Sequence, residues 1–212
     1  MPSTSLRETV EGPYQDPSTN LIYQLLFCDS PELFKENYSG DMQEPWSTLC
    51  SPNPDAAALT SIAEDTQQEA RVRMLAFNLL RAGGHTVATK EYLGTIIEVP
   101  LPEGLDTLAV FADGGVRYIN YSGKVVVVEG TPSPFDDEIA GVIQTSQPIA
   151  AAIGPWDKER LPPPAPGNIR MSFLVSDGLY FGEGPMEIMQ QEPMAAPLIG
   201  AATQLLVKLL DQ

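Results

Sequence analysis

Residues 91 to 129 form four consecutive strand-like runs separated by short turns. The runs are residues 92–99, 107–112, 116–121 and 124–129, and the turns between them are residues 100–104, 113–115 and 122–123. Each turn contains glycine, and short connections of this kind join consecutive strands as antiparallel hairpins. The stretch therefore predicts an antiparallel sheet at the centre of the fold.

A second hairpin and three helices complete the predicted architecture. Residues 169–175 and 179–181 flank the turn at Asp177 and Gly178. Helices are predicted at residues 55–82, 135–147 and 195–210, the first with a bend or break near Asp65 and Thr66, where helix formers are weak. We therefore predict an α+β fold with an antiparallel sheet of five or six strands covered by helices, and an N-terminal helical extension.

The chain divides into a polar start and one domain. Residues 1–17 contain three prolines and no periodicity, which predicts a mobile arm. Residues 18–212 then form a single α+β domain, with a helical extension at 18–54 and the sheet with its covering helices at 55–212. The element order is similar to that of profilin-like and roadblock-like domains, a similarity that assigns no functional residue.

The charge of the chain is strongly negative. Lys and Arg number 12 against 28 Asp and Glu, which gives a formal charge of −16. Such a chain repels phosphate backbones and anionic lipids, so neither nucleic acid nor a membrane is an expected partner. The acidity indicates either a solvated surface or a face for a protein partner with a basic surface. Only Arg71, Arg73, Arg81 and Lys90 form a locally basic zone.

Cys28 and Cys50 are the two cysteines. Two thiols cannot form a disulfide framework or a complete zinc site, so we expect both to be reduced unless the protein is exported. Residues 1–16 show no apolar stretch after a basic start, which favours a cytoplasmic protein. No motif indicates a metal or a cofactor.

Four polar residues suggest a possible reaction centre near the hairpins. Asp113 and Asp177 precede glycine in similar turns, Arg117 follows Asp113 by four residues, and His85 is the single histidine. If the hairpins lay side by side, two carboxylates and a guanidinium would share one sheet edge and could perform acid/base chemistry. The ordinary interpretation is that Asp before glycine stabilises its own turn and that His85 interacts with the end of a helix.

The strand at residues 116–121 is a second candidate region. Its Arg117, Tyr118 and Asn120 mix polar and aromatic groups on both faces, a pattern typical of a strand that lines a ligand cleft or lies near a sheet edge. Residues 125–128 are four valines, and we expect a central strand that is covered on both faces.

The sequence thus supports two hypotheses of different classes. The first is a non-catalytic protein-interaction or regulatory domain of bacterial type, because no complete catalytic signature is present. The alternative is a small-ligand-binding or hydrolase-like enzyme that uses a carboxylate and arginine cleft at the hairpins. The candidate ligand-binding residues are Asp113, Arg117, Tyr118, Asn120, Asp177 and His85.

Overall fold

The computed structural model describes residues 11–37 and 41–211, which contain eight helices and six strands. The helices are α1 Pro17–Leu25, α2 Pro31–Asn37, α3 Trp46–Leu49, α4 Ala56–Glu64, α5 Ala70–Ala82, α6 Asp136–Ala152, α7 Met186–Met189 and α8 Ala195–Leu210. The strands are β1 Tyr92–Leu101, β2 Gly104–Phe111, β3 Val116–Ile119, β4 Val125–Val128, β5 Asn168–Val175 and β6 Gly178–Pro185. The predicted α+β class is confirmed, as is the N-terminal helical extension.

The six strands form one antiparallel sheet in the order β4-β3-β2-β1-β5-β6. Each predicted hairpin is present. The connection between β1 and β2 is shorter than expected, because Leu101 already pairs with Gly104 and leaves only Pro102 and Glu103 in the turn. Since β1 runs antiparallel to both β2 and β5, the β2–β3 and β5–β6 turns lie at the same end of the sheet.

Helices cover both faces of the sheet. One face packs against α1, α3, α4 and α5, and the other packs against α6 and α8. Neighbouring residues of β1 show the division, since Ile96 belongs to the first hydrophobic cluster and Ile97 to the second. The sheet is therefore the middle of three layers. Among the described helices, none combines the length and the apolar character that a bilayer span requires.

The long helix predicted at 55–82 is divided in two. The first half, α4, ends at Glu64, and α5 begins at Ala70, so the break falls where weak helix formers were noted. Helix α6 continues past the predicted end at residue 147 and includes Pro148. It continues because Ile149 and Ala150 in its last turn are buried against the sheet layer, which offsets the hydrogen bond that proline cannot make.

The predicted mobile arm, residues 1–17, lies partly outside the described residues, which begin at residue 11. In the described part, Tyr14 is buried and its hydroxyl lies 2.8 Å from Thr107 Oγ1. Asp16 caps α1 by accepting a hydrogen bond from the Ser18 N–H. Farther along, Cys28 is a buried free thiol, as is Cys50.

The prediction of a central strand at residues 125–128 is wrong. Strand β4 is the last strand of the sheet on one side, and Val127 is 52% exposed. Four valines in a row present apolar side chains to both faces, but this pattern does not determine whether a further strand pairs beyond them. After Val128 the chain leaves the sheet towards α6, so no later strand covers this edge among the described residues.

Two glycines test the packing of this architecture. Gly104 has a φ of +157°, and a Cβ at this position would lie 2.7 Å from the Tyr121 carbonyl oxygen. We expect Gly104→Ala to lower the free energy of unfolding by about 1–3 kcal/mol, since the β3–β4 turn must shift.

In α6, a Cβ on Gly141 would meet Ala201 Cβ at an ordinary 3.8 Å. We expect Gly141→Ala to raise the free energy of unfolding by about 0.5–1 kcal/mol.

Urea unfolding of the two variants measures both effects. Equal stabilities of the two alanine variants would contradict the close approach of the β1–β2 turn to Tyr121.

Candidate functional site

The end of the sheet that carries the β2–β3 turn contains an open cavity of about 420 Å³. Its walls come from the α4–α5 loop, the first turn of α5, the β2–β3 turn and the segment after β4. The lining residues are Thr66, Gln67, Gln68, Glu69, Arg71, Phe111, Asp113, Gly115, Arg117, Glu129, Gly130 and Thr131. Two of the residues singled out in the sequence, Asp113 and Arg117, therefore share one cavity.

Asp113 holds the N-terminus of α5 as well as its own turn. Its Oδ1 accepts from the Gly115 N–H at 3.0 Å, which is the local turn bond expected for Asp before glycine. Its Oδ2 accepts from the Ala70 N–H at 2.7 Å. The residue before α5, Glu69, makes no capping bond with its side chain. Asp113 therefore supplies the cap from another part of the chain.

Arg117 fixes the far end of β4. The residue is 7% exposed, and its guanidinium donates to the carbonyl oxygens of Val116 and Val128 and forms an ion pair with Glu129. Burial lowers the pKa of Arg117 from its ordinary value, and the nearby Arg71 guanidinium lowers it further, whereas Glu129 acts in the opposite direction. The group still remains a cation at neutral pH. Its described hydrogen bonds all go to the hairpin itself.

The other four candidate residues do not join this cavity. Tyr118 lies on the opposite face of the sheet and donates to Asp106 Oδ2 at 2.9 Å. Asn120 accepts the Ser122 and Lys124 N–H groups through Oδ1 and so holds the β3–β4 turn.

Asp177 and His85 are also placed elsewhere. Both oxygens of Asp177 accept from the Tyr180 hydroxyl, at 3.0 and 2.9 Å. Its turn lies three strand spacings from that of Asp113, about 14 Å across the sheet. His85 lines a separate cavity of about 390 Å³ between α4 and the segment before β1. The two aspartates and the histidine therefore do not converge.

The four residues of the locally basic zone each contact another group of the chain. Arg73 pairs with Glu91 at 2.7 Å, Arg81 donates to the Ser176 carbonyl oxygen, and Arg71 pairs with Glu69 at 3.1 Å. Lys90 donates to the carbonyl oxygen of Ile153, just beyond the last turn of α6. The contacts of Arg73 and Arg81 fasten α5 to the end of the sheet, and that of Lys90 links this end to α6. The pair of Arg71 with Glu69 is local to the start of α5.

A buried charged row across the sheet was not anticipated. Glu98 and Arg170 face each other on β1 and β5, and Arg170 faces Glu183 on β6. Arg170 is 5% exposed and its Nη2 lies 2.6 Å from Glu183 Oε2, but its Nη1 is 3.8 Å from Glu98 Oε2. The Arg170 guanidinium thus lies close to both carboxylates. The available signal was a charged residue inside each of three otherwise apolar or small-residue runs.

Glu98 is fully buried beneath α1. The Tyr23 hydroxyl donates to Glu98 Oε1 at 2.6 Å, while Oε2 makes no hydrogen bond among the described residues. Burial raises the pKa of Glu98, and the bond from Tyr23 and the charge of Arg170 only partly oppose this effect. Helix α1 covers the group, so this row supports the fold and is not open to a substrate.

Neither a nucleophilic thiol nor a metal centre is supported by the described residues. Burial raises the pKa of the Cys28 thiol to about 12, so it remains protonated at neutral pH. Among the residues that the structure describes, no group of three or more His, Cys, Asp or Glu side chains is arranged to hold a metal ion.

The cap on α5 can be tested by removing the Asp113 carboxylate. We expect Asp113→Ala to lower the free energy of unfolding by about 1–2 kcal/mol, because the N–H groups of Ala70 and Gly115 both lose their acceptor. Urea unfolding measures the change, and Asp157→Ala, at an exposed position, is the control for loss of one negative charge. If both variants kept the stability of the parent protein, the cap would not contribute.

The raised pKa of Glu98 predicts a pH dependence. The folded state holds this proton more tightly than the unfolded chain does, so the group stabilises the fold at low pH and loses that effect as pH rises through its raised pKa. Glu98→Gln cannot ionise. We therefore expect the stability of the variant, relative to the parent protein, to increase as pH rises from acidic to neutral values.

Urea unfolding at a series of pH values gives this difference. Glu103→Gln, at an exposed position, is the matched control for the same change of side chain. A difference for Glu98→Gln that did not change with pH would contradict the raised pKa.

Comparisons with known proteins assign no family to this chain. No protein-family model matches it, and neither a curated protein nor a solved structure matches it.

Proposed function

We propose that this chain is a non-catalytic protein-interaction or regulatory domain that binds a partner with a basic surface. The observation that carries the proposal is the sign of the charge left at the surface. The chain has 28 acidic and 12 basic residues, and three of the arginines are buried in ion pairs.

Three arginine residues are buried in the fold, whereas carboxylate side chains remain exposed. Arg73, Arg117 and Arg170 are 7%, 7% and 5% exposed. Each pairs with a carboxylate, and two further ion pairs hold Arg160 to Asp29 and Lys208 to Glu138. Each of these ion pairs cancels one positive and one negative charge, so the pairs leave the excess of 16 acidic residues unchanged. That excess gives the surface its negative field.

The roles of the polar candidates also support a non-catalytic function. Asp113 caps α5, Asn120 holds the β3–β4 turn, and Asp177 accepts from Tyr180. Each of these contacts holds a turn or a helix end, which is a structural role. The structural contacts of these polar residues are enough to explain their presence. The negative charge of the surface is the property that these contacts leave unexplained.

A partner recognised through this charge has a predictable salt dependence. Complementary charges speed association and favour the correct partner, and added salt screens them over about 8–10 Å. We expect a basic partner to be captured at low salt. Once that partner has been purified, the dissociation constant of its complex with this chain should rise about tenfold or more between about 50 and about 200 mM NaCl.

The captured protein has to be identified, purified and titrated by calorimetry against the full chain. Sucrose at matched osmolality is the control for effects other than screening. The proposal would be rejected if no basic protein bound in reconstitution, or if the affinity did not depend on salt.

A further inference from the structure

Glu98 lies at the centre of a buried polar cluster beneath α1. On the sheet, Thr107 of β2 is its pairing partner on one side and Arg170 of β5 on the other. The Tyr23 side chain of α1 covers it and donates to its Oε1 at 2.6 Å. Glu98 is 0% exposed, and its Oε2 makes no hydrogen bond among the described residues. The carboxyl group is therefore sealed from water by α1.

The guanidinium of Arg170 is committed to groups other than Glu98. Its Nε and Nη2 donate to Glu183 Oε2 at 2.9 and 2.6 Å. Its Nη1 donates to the carbonyl oxygens of Leu161 and Pro162, and lies 3.8 Å from Glu98 Oε2. One cation therefore faces two carboxylates. The cluster is neutral when Glu98 carries a proton and holds an excess negative charge when it does not.

The other titratable groups that face Glu98 do not remove this excess. Tyr14 and Tyr23 approach from the N-terminal side, and burial raises the pKa of both hydroxyls, so they stay neutral. The segment after α6 contributes Arg160, which is itself paired with Asp29 at 3.0 Å. Burial accordingly raises the pKa of Glu98, and the surrounding donors and cations oppose this only in part.

Helix α1 is the cover that can move, since Glu98 and its neighbours on the sheet are held in paired strands. Hydroxyl groups fasten α1 and the residues before it to the sheet. Tyr14 bonds to Thr107 Oγ1, Thr19 donates to a carbonyl oxygen of the β3–β4 turn, and Tyr23 donates to Glu98. A terminal segment opens locally more readily than the interior of a sheet. One of its fastenings ends on the group that titrates.

We infer that residues 14–27 form a strap that is closed when Glu98 is protonated and opens when Glu98 ionises. With the proton bound, the cluster is neutral and α1 covers it. When the proton passes to the solvent, the carboxylate requires hydration, and the outward movement of α1 admits water to it. The opening uncovers Glu98, Thr107 and Arg170 while the sheet stays paired. This device goes beyond the proposed function, because it operates without a partner.

The direction of the pH response follows from the two states of the strap. In the open strap Glu98 is hydrated and titrates near the ordinary value for a glutamate, whereas in the closed strap its pKa is raised. Closure is therefore fully favoured below the ordinary value and weakens as pH rises through the raised one. Within this window, each pH unit increases the ratio of open to closed strap by up to about tenfold.

Amide hydrogen exchange of the full chain between about pH 5 and about pH 8 measures this opening, with rates corrected for the intrinsic pH dependence of exchange. We expect the protection of the α1 amides to fall about tenfold or more over this range. The amides of Leu75 and Ala76 in α5, both 0% exposed, should keep their protection and so report on global unfolding. An equal change in both helices, or no change in α1, would overturn the inference.

Glu98→Gln holds the strap in a form that cannot ionise. We expect the protection of its α1 amides to stay constant with pH, while Glu103→Gln, at an exposed position, keeps the response of the parent protein. If Glu98→Gln lost protection with pH as the parent does, another group would control the segment and the strap would be excluded.

Tyr23→Phe separates the contact with the carboxyl group from the packing of the ring. Without the hydroxyl, the ionised Glu98 loses its donor at Oε1, so its pKa rises further. We expect the loss of α1 protection to extend to higher pH in this variant than in the parent protein. The same pH range in both proteins would contradict a strap that is held through Tyr23 and Glu98.

Discussion

Arg170 connects three parts of the molecule that lie apart in sequence. Its guanidinium pairs with Glu183 on β6 and lies near Glu98 on β1, and it donates to the carbonyl oxygens of Leu161 and Pro162. Through Glu98 it reaches the Tyr23 hydroxyl of α1. Sheet, proline-rich segment and N-terminal helices therefore meet at one cation. Such a buried group needs all of its partners, because an unpaired charge in the interior is strongly destabilising.

The same arrangement has an electrostatic consequence at the surface. Arg73, Arg117 and Arg170 are buried in pairs with carboxylates, so each pair cancels one positive against one negative charge. The negative field therefore comes from the acidic residues that are left without such a partner. A change that broke one of these pairs would alter stability and the pattern of surface charge together.

The sequence predicted those features of the structure that depend on residues close together in the chain. The hairpins, the break near Asp65 and the turn bond of Asp113 follow from local preferences. The Asp113 contact with Ala70 joins residues 43 positions apart, and no local pattern indicates it. The register that places Glu98 beside Arg170 is set by pairing across strands. The sequence therefore shows both charged residues but does not show that they are neighbours. Four valines likewise did not reveal that β4 ends the sheet.

The two edges of the sheet are unequal, and this limits how copies of the chain can associate. A sheet that polymerises needs two open edges, one to receive a strand and one to offer the next. Here β6 is bridged by Trp156, while β4 is the open side among the described residues. A strand added along β6 would have to displace Trp156 at Leu179, whereas no described strand pairs with the outer side of β4. Growth of a continuous sheet through copies of this chain is therefore opposed at one edge and not at the other.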